Sequence, residues 1–199
     1  MVTGIVIFGE MGSGKDTLAD ELKNIVGNAK IFNLGMLCRD IMRITKVNGN
    51  WAGRERDLGQ AVADCLRSVD QNVMNDYIFS LVVAGMEFEF TKMNSEEIID
   101  CLKNLSCISI IVGGRTKEDL KYWRDKGFLI VGIKTDNELR IDRITLRNGE
   151  VNQMNNYTHS TENEAREIVS SQCDYCVENN ESLQDLINEA NKICDLIRL

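Results

Sequence analysis

The chain has 199 residues, of which 43% are hydrophobic and 27% are charged, and its formal net charge is −8. This composition is typical of a globular domain, and the negative charge argues against a protein that wraps a nucleic-acid backbone, which requires a basic face. Every apolar stretch is shorter than the roughly 18 residues that span a bilayer, and the N-terminus lacks the basic region of a secretory signal. We therefore expect one cytoplasmic domain over residues 1–199, with neither a membrane nor a nucleic-acid polymer as partner.

Seven dispersed cysteines support the same compartment, because an odd, scattered set is typical of reduced thiols in a cytosolic protein. Cys173 and Cys176 form a C-x-x-C pair, but the sequence offers neither a second pair nor a nearby histidine to complete a zinc site. We interpret the two as thiols packed around a strand.

The first half of the chain begins with a short apolar segment, Gly4–Phe8, which has the composition of a strand buried in a parallel sheet. Apolar positions at helical spacing predict a helix over 15–26, and a strand at 29–33 precedes a helix over 34–45. Helical spacing returns over 54–84, with a break, although the segment 80–90 is ambiguous between the end of a helix and a strand. A helix over 94–104 and a buried strand over 107–112 complete this half.

The second half alternates in the same way. We predict a helix over 117–126, a strand over 128–133 and a helix over 137–147. Thr161-x-x-Glu164 has the pattern of a capping box at the start of the next helix. A strand over 174–177 and a helix over 182–197 end the chain. Because strands alternate with helices, the sequence predicts an α/β fold with a mainly parallel sheet.

Gly9-x-x-x-x-Gly14-Lys15 lies between the first strand and the first helix, as the phosphate loop known as Walker A requires. Its glycines allow a tight turn in which successive N–H groups point into one concavity, and the helix N-terminus adds partial positive charge. Lys15 would supply a full charge to the β- and γ-phosphates of ATP. The residues predicted to bind ATP here are Gly9, Gly12, Ser13, Gly14, Lys15, Asp16 and Thr17. The hydroxyl that usually follows the lysine and binds Mg²⁺ is replaced by Asp16.

The segment Asn33-Leu-Gly-Met-Leu-Cys-Arg39 combines a polar residue, a glycine, a turn of helix and an arginine. It resembles the acceptor-binding segment of adenylate-kinase-like nucleoside monophosphate kinases. An acceptor phosphate must be held in line with the γ-phosphate, and a guanidinium does so through two parallel hydrogen bonds. The resemblance implies that Arg39 binds the substrate.

Arg56-Asp-Leu-Gly-Gln60, followed by Arg67, resembles the R-x-L-x-Q…R stretch of bacteriophage-type deoxynucleoside monophosphate kinases and their bacterial and archaeal relatives. That stretch lines the acceptor site in the family. The resemblance implies that Arg56, Gln60 and Arg67 face the acceptor, with Gln60 toward its base.

The strand that ends in Ile108-Ser-Ile-Ile-Val-Gly-Gly-Arg115 is similar to the strand on which this family carries a Walker-B-like Asp-x-Arg. Arg115 is retained and is implied to contact substrate, whereas Gly113 occupies the position of the acid that helps to organise Mg²⁺. The family often carries an acid at the position of Asp16. We therefore predict that Asp16 is the acidic partner of Mg²⁺, directly or through water, and that Thr17 contacts phosphate.

Arg140, Arg143 and Arg147 have the i, i+3, i+7 spacing that places them on one helical face. The pattern resembles the R-x-x-R lid motif of P-loop kinases. The resemblance implies that Arg140 stacks on the donor adenine, while Arg143 and Arg147 neutralise the transferring phosphate.

The tail, with His159-Ser-Thr-Glu162 and Asp174-x-x-Val-x-Asn179, resembles the end of the same family. We interpret His159 and Glu162 as structural or lid residues, because an anionic acceptor oxygen needs no catalytic base. The polar loop 148–157 is a plausible minimal lid within the segment 148–160.

These matches imply a P-loop NTPase fold with three αβα layers, a mainly parallel five-stranded sheet, a helical acceptor-binding region over 34–85 and the lid. The implied activity is Mg²⁺-assisted transfer of phosphate from ATP to a nucleoside or deoxynucleoside monophosphate. The residues implied to act in catalysis are Lys15, Asp16, Arg143 and Arg147. We expect a small nucleotide as the partner and a monomer or homodimer.

Two alternatives stay open at this point. One is a kinase for another small acceptor, such as dephospho-coenzyme A or a mevalonate phosphate. The other is an ATP-binding regulatory module that has lost its chemistry, an interpretation that Gly113 supports. Residues 86–106 are longer than the family core requires, and the sequence does not assign them a role.

Overall fold

The computed structural model describes residues 2–45, 55–84, 92–148 and 160–198. Within these residues the chain divides into two compact units, the first made of 1–31 and 89–199 and the second of 32–88. The predicted single domain, its acceptor region over 34–85 and its lid over 148–160 stay predictions. Of that lid, residues 149–159 lie outside the described part of the chain.

The described residues form five strands and nine helices in alternating order. The strands are β1 (Gly4–Phe8), β2 (Ala29–Asn33), β3 (Ile108–Gly114), β4 (Leu129–Lys134) and β5 (Tyr175–Glu178). The helices are α1 (Lys15–Val26), α2 (Met36–Thr45), α3 (Glu55–Val69), α4 (Val73–Val82), α5 (Ser95–Lys103), α6 (Lys117–Arg124), α7 (Asn137–Asn148), α8 (Ser160–Ser171) and α9 (Leu183–Arg198).

The sheet is parallel throughout, with strand order β2-β3-β1-β4-β5. The central strand β1 pairs with β3 on one side and with β4 on the other. The carboxyl ends of these strands therefore meet at one edge of the sheet, where the loop after β1 begins. The predicted α/β fold with a mainly parallel five-stranded sheet is confirmed.

Strand β1 is buried on both faces, which explains its uninterrupted apolar sequence. Ile5 and Ile7 belong to the core cluster that the sheet shares with α1 and α9, to which Leu18, Leu22 and Ile193 contribute. Helices α6 and α8 pack on β4, and α8 also reaches β1. Because successive residues of a strand point to opposite faces, β1 anchors helices on both sides of the sheet.

On the face of the sheet that α6 and α8 cover, Trp123 is fully buried in α6 and meets Phe128 edge to face, with ring centroids 4.8 Å apart. Thr116 and Asp119 form a reciprocal capping box that begins α6. The helix ends two residues before the predicted position 126, because Gly127 adopts a left-handed conformation with φ 76° and the Phe128 N–H returns to the Trp123 carbonyl.

Strand β3 contains a bulge at its carboxyl end. Ile7 pairs with Val112 and Phe8 pairs with Gly114, so that Gly113 is an extra residue, and its φ of 96° is left-handed. A side chain at position 113 would be strained in this conformation. The glycine in the place of the family's acid therefore has a structural cause.

The second unit contains α2, α3 and α4, which contact one another. The buried Cys38 thiol of α2 lies 3.6 Å from the Met74 sulfur of α4. Tyr77 of α4 donates a hydrogen bond of 2.8 Å to Asp40 of α2. These contacts hold α2 and α4 together through one apolar and one polar link.

Several predicted boundaries shift. Helix α2 begins at Met36 because the Asn33 side chain accepts a hydrogen bond of 2.9 Å from the Gly35 N–H, which forms a local turn instead of helix. The predicted capping box at Thr161 is wrong, because α8 already begins at Ser160 and the Glu164 carboxylate accepts from the Lys117 N–H. The ambiguous segment 80–90 is helical as far as Val82, and residues 85–91 lie outside the described part.

Among the described residues, no helix is both long and apolar enough to cross a membrane.

The packing at the bulge leads to a stability prediction. A Cβ at position 114 would lie 2.6 Å from Cζ of the buried Phe8, so Gly114→Ala should lower the free energy of unfolding by about 1–3 kcal/mol. Urea denaturation followed by tryptophan fluorescence measures this change.

Gly59→Ala is the matched control, because a Cβ there would lie 3.7 Å from the Met42 methyl group and Gly59 is inside α3. We expect this variant to be unchanged or stabilised by up to about 1 kcal/mol. Equal stabilities for the two variants would contradict the described packing of Phe8 on Gly114.

Candidate active site

The loop between β1 and α1 is built around left-handed glycines. Gly12 has φ 79°, and Gly14 has φ 96° and forms the N-cap of α1 without a side-chain hydrogen bond to the helix. No N-cap side chain therefore satisfies the first N–H groups of α1, and the positive end of the helix dipole points at the same place. This is the arrangement of an anion-binding site.

Two side chains fix the orientation of the loop backbone at Ser13. Its carbonyl accepts a hydrogen bond of 3.0 Å from the Thr135 hydroxyl and one of 2.8 Å from the Asn179 amide. Thr135 follows β4 and Asn179 follows β5, and both side chains are buried. Because the Ser13 carbonyl is held against the sheet edge, the N–H of the same trans peptide, which belongs to Gly14, points away from that edge.

The Ser13 hydroxyl is also buried, with the residue 1% exposed and its oxygen lacking a hydrogen-bond partner among the described residues. A Cβ at Gly9 would lie 2.8 Å from this oxygen, and a Cβ at Gly14 would overlap the Asn179 amide. Any residue larger than glycine at these two positions would therefore collide with the groups that support the loop.

The side chain of Lys15 folds back onto the loop. Its ammonium donates a hydrogen bond of 2.6 Å to the Glu10 carbonyl, and the residue is 8% exposed. Asp16 and Thr17 follow in the first turn of α1, and both are exposed. The loop thus presents one held cation beside two exposed side chains with oxygen ligands.

An ionic network joins the loop to α7 and α8. The Glu10 carboxylate lies 3.3 Å from the Arg140 guanidinium of α7 and 2.6 Å from that of Arg166 of α8. Arg140 is 4% exposed. Its guanidinium donates one hydrogen bond of 3.2 Å to the Met11 carbonyl and another of 3.0 Å to the side-chain oxygen of Asn137. These contacts hold Arg140 beneath the loop, and its implied stacking on the donor base stays a prediction.

Glu162 of α8 ties the loop to the end of β3. Its buried carboxylate accepts a hydrogen bond of 3.0 Å from the Met11 N–H and forms an ion pair with Arg115. Burial alone would raise the pKa of Glu162, but the charge of Arg115, the Met11 N–H and the charge of Lys15 outweigh it, and the pKa is lowered. Glu162 is therefore a charged residue that links the loop after β1 to the end of β3.

The remaining arginines predicted on this unit differ in how far the structure describes them. Arg115 is engaged with Glu162, and 26% of its side chain is exposed. Arg143 is partly buried and donates to the Thr135 hydroxyl at 3.5 Å, which links it to the Ser13 support. Arg147 is in α7, but its side chain lies outside the described residues, as does all of His159.

The second unit contains two predicted acceptor residues whose charges both influence one buried thiol. Arg39 of α2 is exposed and Arg67 of α3 is partly buried, and the charges of both act on the Cys38 thiol. Burial is the largest influence and raises the pKa of Cys38, while the two arginines oppose it. Gln60 is partly buried in α3, and the side chain of Arg56 lies outside the described residues.

Magnesium fits the oxygen ligands of the first turn of α1 rather than a preformed cage. In the described ranges no group of three or more His, Cys, Asp or Glu side chains is arranged to hold a metal ion. Mg²⁺ commonly takes one or two protein ligands together with substrate phosphates, and the exposed carboxylate of Asp16 suits that use.

Sequence analysis assigns no role at the loop to four residues that shape it: Glu10, Thr135, Arg166 and Asn179, the last of which enters it only as part of the tail motif. Thr135 and Asn179 carry a usable signal, since each lies two residues beyond the end of a predicted strand and the carboxyl ends of parallel strands meet. Glu10 and Arg166 are separated by 156 positions, and nothing in their local sequence links them.

No protein-family model and no curated protein matches the chain. Among solved structures, TT1252 from Thermus thermophilus is 19% identical with a TM-score of 0.55, and 98% of each chain is covered. A gluconokinase from Sinorhizobium meliloti 1021 is 11% identical with a TM-score of 0.51, over 98% of this chain and 95% of that one. The APS kinase of Mycobacterium tuberculosis, in complex with AMPPNP and APS, is 12% identical with a TM-score of 0.50, over 98% of each. The chain therefore has the α/β fold of P-loop kinases.

The buried carboxylate of Glu162 leads to a prediction about how the stability of the protein depends on pH. Glu162→Gln should lower the free energy of unfolding near neutral pH by about 1.5–3 kcal/mol, because a hydrogen-bonded buried charge is removed. The folded-state pKa is lowered, so this contribution is complete above the ordinary value of 4.5 and disappears as the pH falls through the folded-state value. Urea denaturation over an acid-to-neutral series should show wild type and variant converging below pH 4.5.

Glu167→Gln is the matched control on the same helix. Glu167 pairs with Lys117 at 2.9 Å, but both side chains are 52% exposed. An exposed pair contributes less than about 1 kcal/mol, so this variant should remain close to wild type. Equal losses at 162 and 167 would contradict the role of burial.

Proposed function

We propose that the chain is an ATP-dependent kinase that phosphorylates a nucleoside or deoxynucleoside monophosphate. The observation that carries the proposal is the loop after β1, in which left-handed glycines and the supported Ser13 carbonyl lie at the N-terminus of α1, with the Lys15 ammonium held beside them. A loop of this kind at the N-terminus of a helix in a parallel α/β fold is typical of nucleotide phosphate binding.

The donor is held by the N–H groups of the loop and by the ammonium group of Lys15. Lys15 exchanges its present hydrogen bond to the Glu10 carbonyl for contacts with the phosphates. Mg²⁺, when bound, neutralises charge on the β- and γ-phosphates. Asp16 holds that ion directly or through water, and Thr17 contacts phosphate, in agreement with their exposure in the first turn of α1.

The acceptor is held by residues of the second unit. Arg39 and Arg67 come from different helices of this unit, and the charges of both influence the buried Cys38 thiol. Guanidinium groups suit a phosphate monoester, which carries about two negative charges and presents several oxygen acceptors. The resemblance of Arg56 and Gln60 to an acceptor site supports a nucleotide rather than an isolated phosphate as the ligand.

Transfer of the phosphoryl group needs positive charge beside it. Arg143 already lies at the sheet edge through its contact with Thr135, and Arg147 follows one turn later in α7. We propose that these two arginines stabilise charge that develops on the transferring group. For Arg140 to reach the donor base, it would have to leave Glu10 and the Met11 carbonyl.

An acceptor screen tests the proposal. The full chain is incubated with ATP, Mg²⁺ and each common nucleoside or deoxynucleoside monophosphate, and ADP release is followed in a coupled assay. We expect turnover with at least one of them, and loss of it in Lys15→Met, which removes the phosphate-binding charge. Tight ATP binding with no turnover on any monophosphate would refute the proposed activity.

A second candidate is a kinase for a different small acceptor. It is favoured by the fold that the chain shares with a gluconokinase and with an APS kinase. The same assay is therefore extended to gluconate, APS, dephospho-coenzyme A and a mevalonate phosphate. Turnover confined to one of these acceptors would establish the second candidate, and intact ATP throughout would support a non-catalytic module.

The metal assignment makes a separate prediction. Asp16→Asn should lower kcat about 10- to 100-fold, because the acidic partner of Mg²⁺ is lost, while ATP affinity changes little. Steady-state kinetics and direct binding of an ATP analogue distinguish the two effects.

Asp20→Asn is the control, since Asp20 is equally exposed and lies one turn further along α1. Its activity should match that of wild type. Unchanged turnover in Asp16→Asn would overturn the assignment of Asp16.

A further inference from the structure

Two cysteine residues lie beside the same glycine on the α8 face of the sheet. Cys176 of β5 pairs with Gly132 of β4 in the parallel register. A Cβ at Gly132 would lie 3.0 Å from the Cys173 sulfur, so that sulfur packs directly over the glycine. Since Gly132 has no side chain, the space above it is left to Cys173.

The two thiols share the surroundings of Gly132, and each acts on the other electrostatically. Burial raises the pKa of Cys173, and the neighbouring Cys176 thiol, to which it hydrogen-bonds, raises it further. The Cys173 sulfur also lies 3.2 Å from the Val169 carbonyl, to which it donates. Cys173 is thus the inner thiol of the pair and Cys176 is the exposed one.

The backbone between the two cysteines is fixed to the sheet. Asp174 donates its N–H to the Ile130 carbonyl at 2.8 Å, and its carboxylate accepts from the Ile130 N–H, also at 2.8 Å. This two-way anchor holds Cys173 close to β4, where Cys176 is already paired. A fixed separation of this kind raises the effective concentration of one thiol at the other.

The pair faces a groove with a volume of about 520 Å³. Its lining includes both cysteines together with Lys134 and Arg166. Lys134 is also influenced by Cys176. The pKa of Lys134 is raised mainly by its hydrogen bond to Glu178, and the charge of Cys176 raises it further. Lys134 pairs with Glu178 at 2.7 Å and Arg166 pairs with Glu10 at 2.6 Å, so the charge around the groove is balanced. A small disulfide can reach the exposed Cys176 from this groove.

We propose that Cys173 and Cys176 form a reversible redox site, a dithiol that a low-molecular-weight disulfide such as oxidised glutathione converts into an intramolecular disulfide. The Cys176 thiolate attacks one sulfur of the oxidant, and the first thiolate leaves. Cys173, as a thiolate, then attacks the Cys176 sulfur, forming the Cys173–Cys176 bond and expelling the second thiolate. The protein gives up two electrons and two protons, and the oxidant becomes two thiols.

This inference is independent of the proposed kinase activity, because it concerns only the two thiols and the groove. A structural zinc site fits the two cysteines less well than a disulfide does. The described part of the chain places no group of three or more His, Cys, Asp or Glu side chains where they could share a metal ion. Two sulfur atoms without further ligands are suited to a disulfide rather than to structural zinc.

The experiment uses the reduced full chain, incubated with oxidised glutathione without denaturant, quenched with acid and then alkylated. Peptide mass spectrometry should find Cys173 and Cys176 joined within one molecule, with the mass of two hydrogens lost, and dithiothreitol should restore both thiols. In Cys173→Ser, a mixed disulfide with glutathione should accumulate at Cys176, because the resolving thiol is absent.

Cys65→Ser is the matched control, since Cys65 is exposed but is on α3 in the second unit. This variant should form the Cys173–Cys176 disulfide at the wild-type rate. The proposal is overturned if wild type keeps both thiols reduced, if a mixed disulfide at Cys176 persists in wild type, or if the bridge forms only after denaturant is added.

Discussion

The site depends on one constraint, the double hydrogen bond that fixes the Ser13 carbonyl against the edge of the sheet. Thr135 and Asn179 provide it from the residues that follow two neighbouring strands. A planar trans peptide points its N–H away from its carbonyl oxygen, so the Gly14 N–H, which follows the held Ser13 carbonyl, faces away from the strand ends. The core that positions β1, β4 and β5 therefore also sets the direction of the donors that would meet a phosphate.

Around that constraint the protein arranges buried charge on both sides of the loop. Glu10 is held by arginines of α7 and α8, and Glu162 receives the Met11 N–H while pairing with Arg115. Removing such groups from water costs free energy unless they are paired and hydrogen-bonded, as they are here. The loop is therefore linked to α7 and α8 by polar contacts, and a shift of either helix would change the hydrogen bonds and ion pairs of the loop.

The alternation of strands and helices was predictable because each strand is a short apolar run bounded by glycine or polar residues, and each helix carries an apolar stripe. The phosphate loop was predictable as well, since its chemistry is local in sequence. The Glu10–Arg166 contact was not, because it joins residues 156 positions apart with no local signal between them. For the Ser13–Asn179 contact, the sequence indicated only that Asn179 follows a strand, and not which group it would meet. The cap at Thr161 failed for a related reason, since Glu164 found a partner in Lys117 rather than within its own helix.

The bulge at the end of β3 also bears on how this site could be remodelled. Gly113 is the extra residue of the strand and has a left-handed φ, and a Cβ at Gly114 would overlap the buried Phe8 ring. An acid introduced at either position by a single substitution would therefore cost stability. In this protein the backbone conformation at the end of β3, as much as residue identity, governs where the site can carry an acid.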